Sequence, residues 1–475
     1  MLYINGEWID SKNGTFQVTN PATGEILSEV ADGTREDTKR AIVAAEEAFH
    51  SWSSLTAFQR SDYLYRVYNL MIEKKEHLAE MMTKEQGKPL KAARNEVQYA
   101  ADFVQWYAEE AKRVYGEVLP APRGDQRFIV LRQPVGVVGA ITPWNYPISM
   151  LTRKIAPAIA AGCTIVLKPA EQTPLCAIET MKLFHEAGIP NGVVNLVPTN
   201  NPAEVGDELL TNETIKKITF TGSTEVGKMI AEKAARQVKR VSMELGGHAP
   251  FIVFPDADPV HAAKGASLVK FLNTGQACIS PNRIFVHKSM VEPFTKTLVE
   301  RVNKMKAGNG LEEGVSIGPL VDRAALDKVN NQVNDAREKG ADVVAGGSRL
   351  NDDHLKNGYF YAPTVLTNVS PEMKIYREET FGPVAPIIPF ETEEEVIAMA
   401  NDTNYGLASY VYTNNLKTAS HMFEKLRFGI VGINDINPTA AAAPFGGMKE
   451  SGLGREGGRE GILEYLDTKL GGFSI

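Results

Sequence analysis

Four short apolar runs constrain this chain more than any other feature. They cover residues 135–141, 164–167, 193–197 and 215–220, with helical stretches between them. Each run is almost continuously apolar rather than alternating, as a strand buried on both faces must be. The pattern predicts a parallel sheet covered by helices, a doubly wound α/β region. Such sheets bind ligands beyond the carboxyl ends of their strands, so the residues just after each run are the first place to look for chemistry.

Other segments surround this region. The first residues predict a small β element with an Asn5-Gly6 hairpin turn, and a second turn lies at 20–24. Thr34 and Asp37 have capping-box spacing, and Ala41, Ala44, Ala45, Ala48 and Phe49 follow at helical spacing. Long helical stretches are expected over 58–86 and 92–114. A second α/β region begins near Gly246, with candidate strands at 251–254, 283–287, 343–345, 384–390, 409–412 and 429–433 and a helix over 291–306.

Composition excludes several classes. With 475 residues, 43% of them hydrophobic and 23% charged, the chain has globular composition and the length of two to four domains. A net charge of −7 argues against a broad phosphate-gripping surface, so no nucleic-acid partner is expected. Cys163, Cys176 and Cys278 include no CxxC pair, and one must stay unpaired. That points to a reducing compartment and to no metal site. MLYINGEWID has no basic stretch followed by an apolar run, and the most apolar segment, 155–167, ends at Lys168, short of the roughly 18 residues that span a bilayer. The expectation is a cytoplasmic protein with no membrane partner.

Five segments carry residue types suited to chemistry, and each also has an ordinary reading. Cys278 follows a Thr274-Gly-Gln276 break, where a thiol can be exposed and activated by backbone dipoles; a free cysteine is also commonly a small buried hydrophobe. Glu244 ends an apolar strand before Gly246-Gly247. Burial there would raise its pKa toward that of a general base, whereas a surface glutamate at a junction would do nothing. Phe220-Thr-Gly-Ser223, followed by Gly227, opens a helix after a strand and suits either a pyrophosphate or a plain cap. Lys168 and Glu171 leave a strand end, able to hold ribose hydroxyls or simply to start a helix at Pro174. Asn145 sits in a loop stiffened by Pro143 and Pro147, as an oxyanion donor or a turn residue.

Together these segments resemble the aldehyde dehydrogenase superfamily. The matching motifs are Pro143-Trp-Asn-Tyr-Pro147, Lys168-Pro-Ala-Glu-Gln-Thr-Pro174, Phe220-Thr-Gly-Ser223, Glu244-Leu-Gly-Gly247, Gly275-Gln-Ala-Cys278, Glu378-Glu-Thr-Phe-Gly-Pro383 and Pro444-Phe-Gly-Gly447, in the family's order over most of the chain. The resemblance implies three parts: a Rossmann-like NAD-binding domain (1–113 and 133–246), an α/β catalytic domain (247–459) and a small β oligomerisation element (114–132 and 460–475). It also implies a homodimer or homotetramer. By position, Cys278 resembles the nucleophile, Glu244 the general base and Asn145 the oxyanion donor, with Lys154 and Glu456 a proton relay behind the base. Lys168 and Glu171 resemble the adenosine-ribose contacts, Gly222 and Ser223 the pyrophosphate site, and Glu379 and Phe381 the nicotinamide-ribose and ring contacts. Thr142, Trp144, Gly227 and Leu245 complete the cofactor side.

The expected chemistry is oxidation of an aldehyde to a carboxylate through a cysteine thiohemiacetal and thioester. Glu244 favours hydrolysis over transfer to CoA. Glu171 predicts NAD rather than NADP, because a carboxylate repels a 2′-phosphate. The branch most resembled is succinate-semialdehyde dehydrogenase, with Arg153 on the substrate carboxylate and Tyr146, Met150 and Phe445 around it. Leu272 stands where that branch carries a second arginine. Lactaldehyde, glycolaldehyde or broad aldehyde oxidation is the alternative; a betaine aldehyde is disfavoured by Arg153. A catalytically silent binding or structural relative is the alternative of another class.

Overall fold

In the computed structural model, which describes residues 1–475, the four apolar runs form adjacent parallel strands. They are Val194–Leu196, Thr164–Lys168, Val137–Ile141 and Ile215–Thr221, in that spatial order, and Arg240–Glu244 follows Ile215–Thr221. Nearly all their side chains are buried, as continuous apolar strands require. The pairing aligns their carboxyl ends: Ile141 is opposite both Lys168 and Phe220, and Thr221 is opposite Glu244. The loops after four strands thus open along one edge.

The sheet has eight strands because antiparallel pieces close both sides. Leu2–Ile4, paired with Glu7–Ile9 through the Asn5-Gly6 turn, attaches to Val194–Leu196. On the other side Gly452–Leu453 pairs with Met243 and Glu244. The segment 247–459 therefore returns one short strand to the first sheet. The two-residue strand Gly-Leu has no alternation to reveal it.

The second sheet has seven strands, in the order Asp342–Ala345, Thr364–Thr367, Val384–Phe390, Pro281–His287, Ala249–Val253, Ala408–Tyr412 and Ile430–Ile433. All its pairs are parallel except the first. Glu117–Leu119, Gln126–Pro134 and Leu466–Ser474 form a separate antiparallel sheet, on which Val118 and Leu470 are exposed.

The stretch 58–86 is two helices, Ala57–Glu73 and Lys75–Gln86, broken at Lys74. Met71 and Leu78 are both buried and lie a heptad apart, so the apolar period passes through the break without a mark. The Thr34–Asp37 capping box is present. The helix Arg35–Ser53 ends near Trp52, which is buried, donates from Nε1 to the Ile159 carbonyl at 3.0 Å and packs on Tyr63. Trp52→Ala removes that ring and its hydrogen bond, and is expected to cost about 3–5 kcal/mol; the urea midpoint of unfolding should fall accordingly, and an unchanged midpoint would contradict this packing role.

Candidate active site

Three adjoining cavities run along the aligned strand ends. The first, about 440 Å³, is walled by Thr142, Trp144, Lys168, Glu171, Gly222 and Ser223, among others. The second, about 370 Å³, shares Trp144, Gly222 and Ser223 with it and adds Asn145, Leu245, Cys278, Glu379 and Phe381. The third, about 390 Å³, shares Met150 and Cys278 with the second and is lined by Tyr146, Arg153, Leu272 and Phe445. Cys278 thus stands on a wall common to a long cleft and a more apolar chamber.

The loop carrying Cys278 is built on backbone that few residues adopt. The helix Pro259–Lys270 ends, and Asn273, Thr274 and Gly275 all take positive φ, at 50°, 57° and 76°. A Cβ at Gly275 would sit 2.1 Å from the Gly382 carbonyl oxygen, so this loop is pressed against the turn that holds Phe381. Asn145 is buried and donates from Nδ2 to the Gln276 carbonyl at 3.1 Å, two residues from Cys278.

Cys278 is only half-buried, yet its thiol is raised rather than lowered. Burial pushes it up to about 12, outweighing the pull of the Arg153 cation. Glu244 is buried with Oε2 unpartnered. Burial, then repulsion from Glu456, hold it well above the ordinary carboxylate range, against Arg153 and Lys154. It does not line the three cavities but lies behind Leu245, within electrostatic reach of the sulfur.

Behind it, Lys154 Nζ donates to Glu456 Oε1 at 2.6 Å and to Thr221 Oγ1 at 2.7 Å. Arg153 Nη2 donates to Tyr99 Oη at 3.0 Å, Nη1 lies 3.6 Å from Glu456 Oε2, and the guanidinium is 4.2 Å from the Phe445 ring centre. Its charge is already shared before any substrate arrives.

On the cleft side, Glu379 Oε1 accepts the Gly247 N–H at 2.9 Å, and burial pushes its carboxyl up to about 7. Phe381, at φ 55°, meets Trp144 edge-on with ring centres 5.5 Å apart. Lys168 Nζ lies 3.4 Å from Glu171 Oε2. The helix does start at Pro174, and the buried Glu85 rather than Glu171 accepts its first amides, those of Leu175 and Cys176, at 2.5 and 2.8 Å. Ser223 accepts the Val226 N–H at 3.3 Å as a cap while lining the cleft. Gly227 does not reach the cleft: a Cβ there would lie 2.3 Å from Leu245, so it lets the helix Thr224–Ala235 pack on that side chain. Cys163 and Cys176 are buried.

The profile of the aldehyde dehydrogenase family matches residues 8–470. The chain belongs to the aldehyde dehydrogenase family. It is 50% identical over 468 residues to the glutarate-semialdehyde dehydrogenase of Pseudomonas putida, covering 98% of this chain and 96% of that one. It is 49% identical to the NADP(+)-linked succinate-semialdehyde dehydrogenase of Escherichia coli, covering 98% and 96%. The NAD+ complex of Staphylococcus aureus betaine aldehyde dehydrogenase superposes with a TM-score of 0.97 at 39% identity, covering 100% of this chain and 94% of that one. As an aldehyde dehydrogenase the chain is an oxidoreductase acting on an aldehyde. No helix is long and apolar enough to cross a membrane, and no group of three or more His, Cys, Asp or Glu is set to hold a metal.

Motif reading missed several residues of this aldehyde dehydrogenase. Gln276, Lys88, Glu96 and Asn273 form a buried knot around Asn145. Asn273 and Gln276 lie in the cysteine segment, whereas Lys88 and Glu96 are distant from Asn145 in sequence, so no local spacing marks that pair. A raised thiol has a direct consequence: alkylation of Cys278 in the cofactor-free enzyme should rise about tenfold per pH unit between pH 7 and 10, since the thiolate fraction does. A plateau near pH 8 would show a thiol that is already activated.

Proposed function

We propose that this aldehyde dehydrogenase oxidises a short anionic or hydroxylated aldehyde, such as succinate semialdehyde, to its carboxylate with NAD. The observation that carries the reading is Cys278 on the wall shared by cleft and chamber. The cleft fits a dinucleotide. A capped helix start at Ser223 suits the phosphates, Lys168 and Glu171 suit a ribose at one end, and the aromatic pair Trp144 and Phe381 suits a ring at the other. When bound, a nicotinamide ring supplies the hydride acceptor.

The chain's own residues do the rest. Cys278 gives its proton to water in the open cleft, and Sγ bonds to the carbonyl carbon as the C=O π bond opens, making a thiohemiacetal oxyanion. Asn145 Nδ2 turns from the Gln276 carbonyl to the oxyanion, together with the Cys278 N–H. Collapse with loss of hydride leaves a thioester on Cys278. Glu244 takes a proton from water, the hydroxide adds to the thioester, and the C–S bond breaks to release the acid. Lys154 and Glu456 relay the proton onward. The raised pKa of Glu244 suits a base that must hand its proton on.

Arg153, with Tyr146, Met150 and Phe445, supports an anionic or hydroxylated substrate and disfavours a cationic one. Leu272 on the same wall, and the share of Arg153 taken by Glu456, favour lactaldehyde or glycolaldehyde as the second reading. Glu171 supports NAD over NADP. The exposed Val118 and Leu470 support the three-stranded sheet as the assembly surface of a homodimer or homotetramer.

A panel of anionic, hydroxylated, neutral and cationic short aldehydes with NAD and NADP tests the reading. Cys278→Ala is expected to abolish NADH formation. Glu244→Gln should keep the first turnover but lower steady-state kcat by about 10²–10⁴-fold; equal loss of both phases would remove Glu244 from hydrolysis. Leu272→Arg should raise kcat/KM for succinate semialdehyde about tenfold or more, the worth of one charge-assisted contact, and Glu171→Ser should narrow the preference for NAD. If cationic or long aliphatic aldehydes prove the best substrates, the role of Arg153 is wrong.

A further inference from the structure

Lys88 and Glu96 take no part in the chemistry above, yet both side chains are completely buried, paired with each other, and on the chamber wall. Lys88 Nζ donates to the Asn145 backbone carbonyl at 2.8 Å and lies 4.0 Å from the centre of the Tyr146 ring. Glu96 Oε1 accepts the N–H groups of Ile148 and Ser149 at 3.1 and 3.2 Å. Those amides begin the helix Pro147–Ala161, which carries Met150, Arg153 and Lys154. Asn273, on the strained cysteine loop, donates to the same Asn145 carbonyl at 2.9 Å.

One ion pair therefore grips a single loop at both ends, by the peptide of Asn145 and by the helix start two residues beyond Tyr146. A buried pair adds little net stability compared with apolar packing of the same volume. What it supplies here is geometry, because a charged donor and a charged acceptor tolerate little displacement of their partners.

We infer that Lys88 and Glu96 are positioning residues for Asn145. They hold the peptide from which its amide reaches the oxyanion, so their effect falls on the first chemical step rather than on cofactor binding. This rests on the proposed oxyanion role of Asn145. Loss of one oxyanion donor costs about 10²–10³-fold, and a misplacement of about 1 Å can cost a comparable factor.

The test is a double-mutant cycle read by first-turnover NADH formation with NAD and succinate semialdehyde or propanal. Lys88→Met is expected to slow the first turnover at least about tenfold, with KM for NAD within about twofold of wild type. Placed on Asn145→Ala, it should add less than about twofold, because the group it positions is gone. Equal losses in both backgrounds, or no loss in wild type, overturn the inference. If Lys88→Met does not fold, the near-isosteric Glu96→Gln is put through the same cycle under the same criteria. If Asn145→Ala itself leaves the first turnover unchanged, the oxyanion reading fails and this inference with it. A slow Asn145→Ala beside an unimpaired Lys88→Met removes this inference alone.

Discussion

The in-register parallel pairing of the first sheet underlies everything at the site. With Ile141 opposite Lys168 and Phe220, and Thr221 opposite Glu244, four chain exits lie along one edge within a few strand widths. A slip of one residue in any pair would exchange the side chains packed against the two helical layers, so close packing on both faces enforces the alignment. The loops that follow need no further organisation to share a cleft. The second sheet then has to bring only the Cys278 loop against it, and the hydrogen bond from Asn145 Nδ2 to the Gln276 carbonyl marks where it does so.

Burial governs the chemistry of that junction as strongly as residue type does. Cys278, Glu244 and Glu379 are all pushed toward their neutral forms by desolvation, and the cations around them only partly offset it. Holding these three groups toward their neutral forms spares the fold part of the cost of isolated buried charges. It also keeps a thiol quiet until something alters its surroundings. Glu456 illustrates the coupling: it faces Lys154 and Arg153 together, and its charge helps raise Glu244.

Much of the fold was legible because strand-length apolar runs separated by helices admit few arrangements. All four runs of the first sheet and the six candidate strands of the second are strands in the structure. What escaped notice is short or non-local. Gly452–Leu453 has only two residues, and the break at Lys74 sits inside an uninterrupted apolar period. At the candidate site, residues in local motifs are legible from their spacing, whereas Lys88 and Glu96 are not, since Lys88 meets Asn145 across 57 residues. Gly227 was placed at the cleft because glycines after strands often face ligands; here it faces Leu245.

Residue order alone determined the alternation of apolar strands and helices, the family, and which side chains have the chemistry to act on an aldehyde, because those properties are local or carried by short motifs. Only the tertiary structure decided how those groups stand at rest. It raised the Cys278 thiol by desolvation, set Glu456 on Arg153, turned Gly227 toward Leu245 and closed Lys88 and Glu96 around the Asn145 peptide. Desolvation, ion pairing and close packing depend on which distant segments meet, and no spacing along a chain records that.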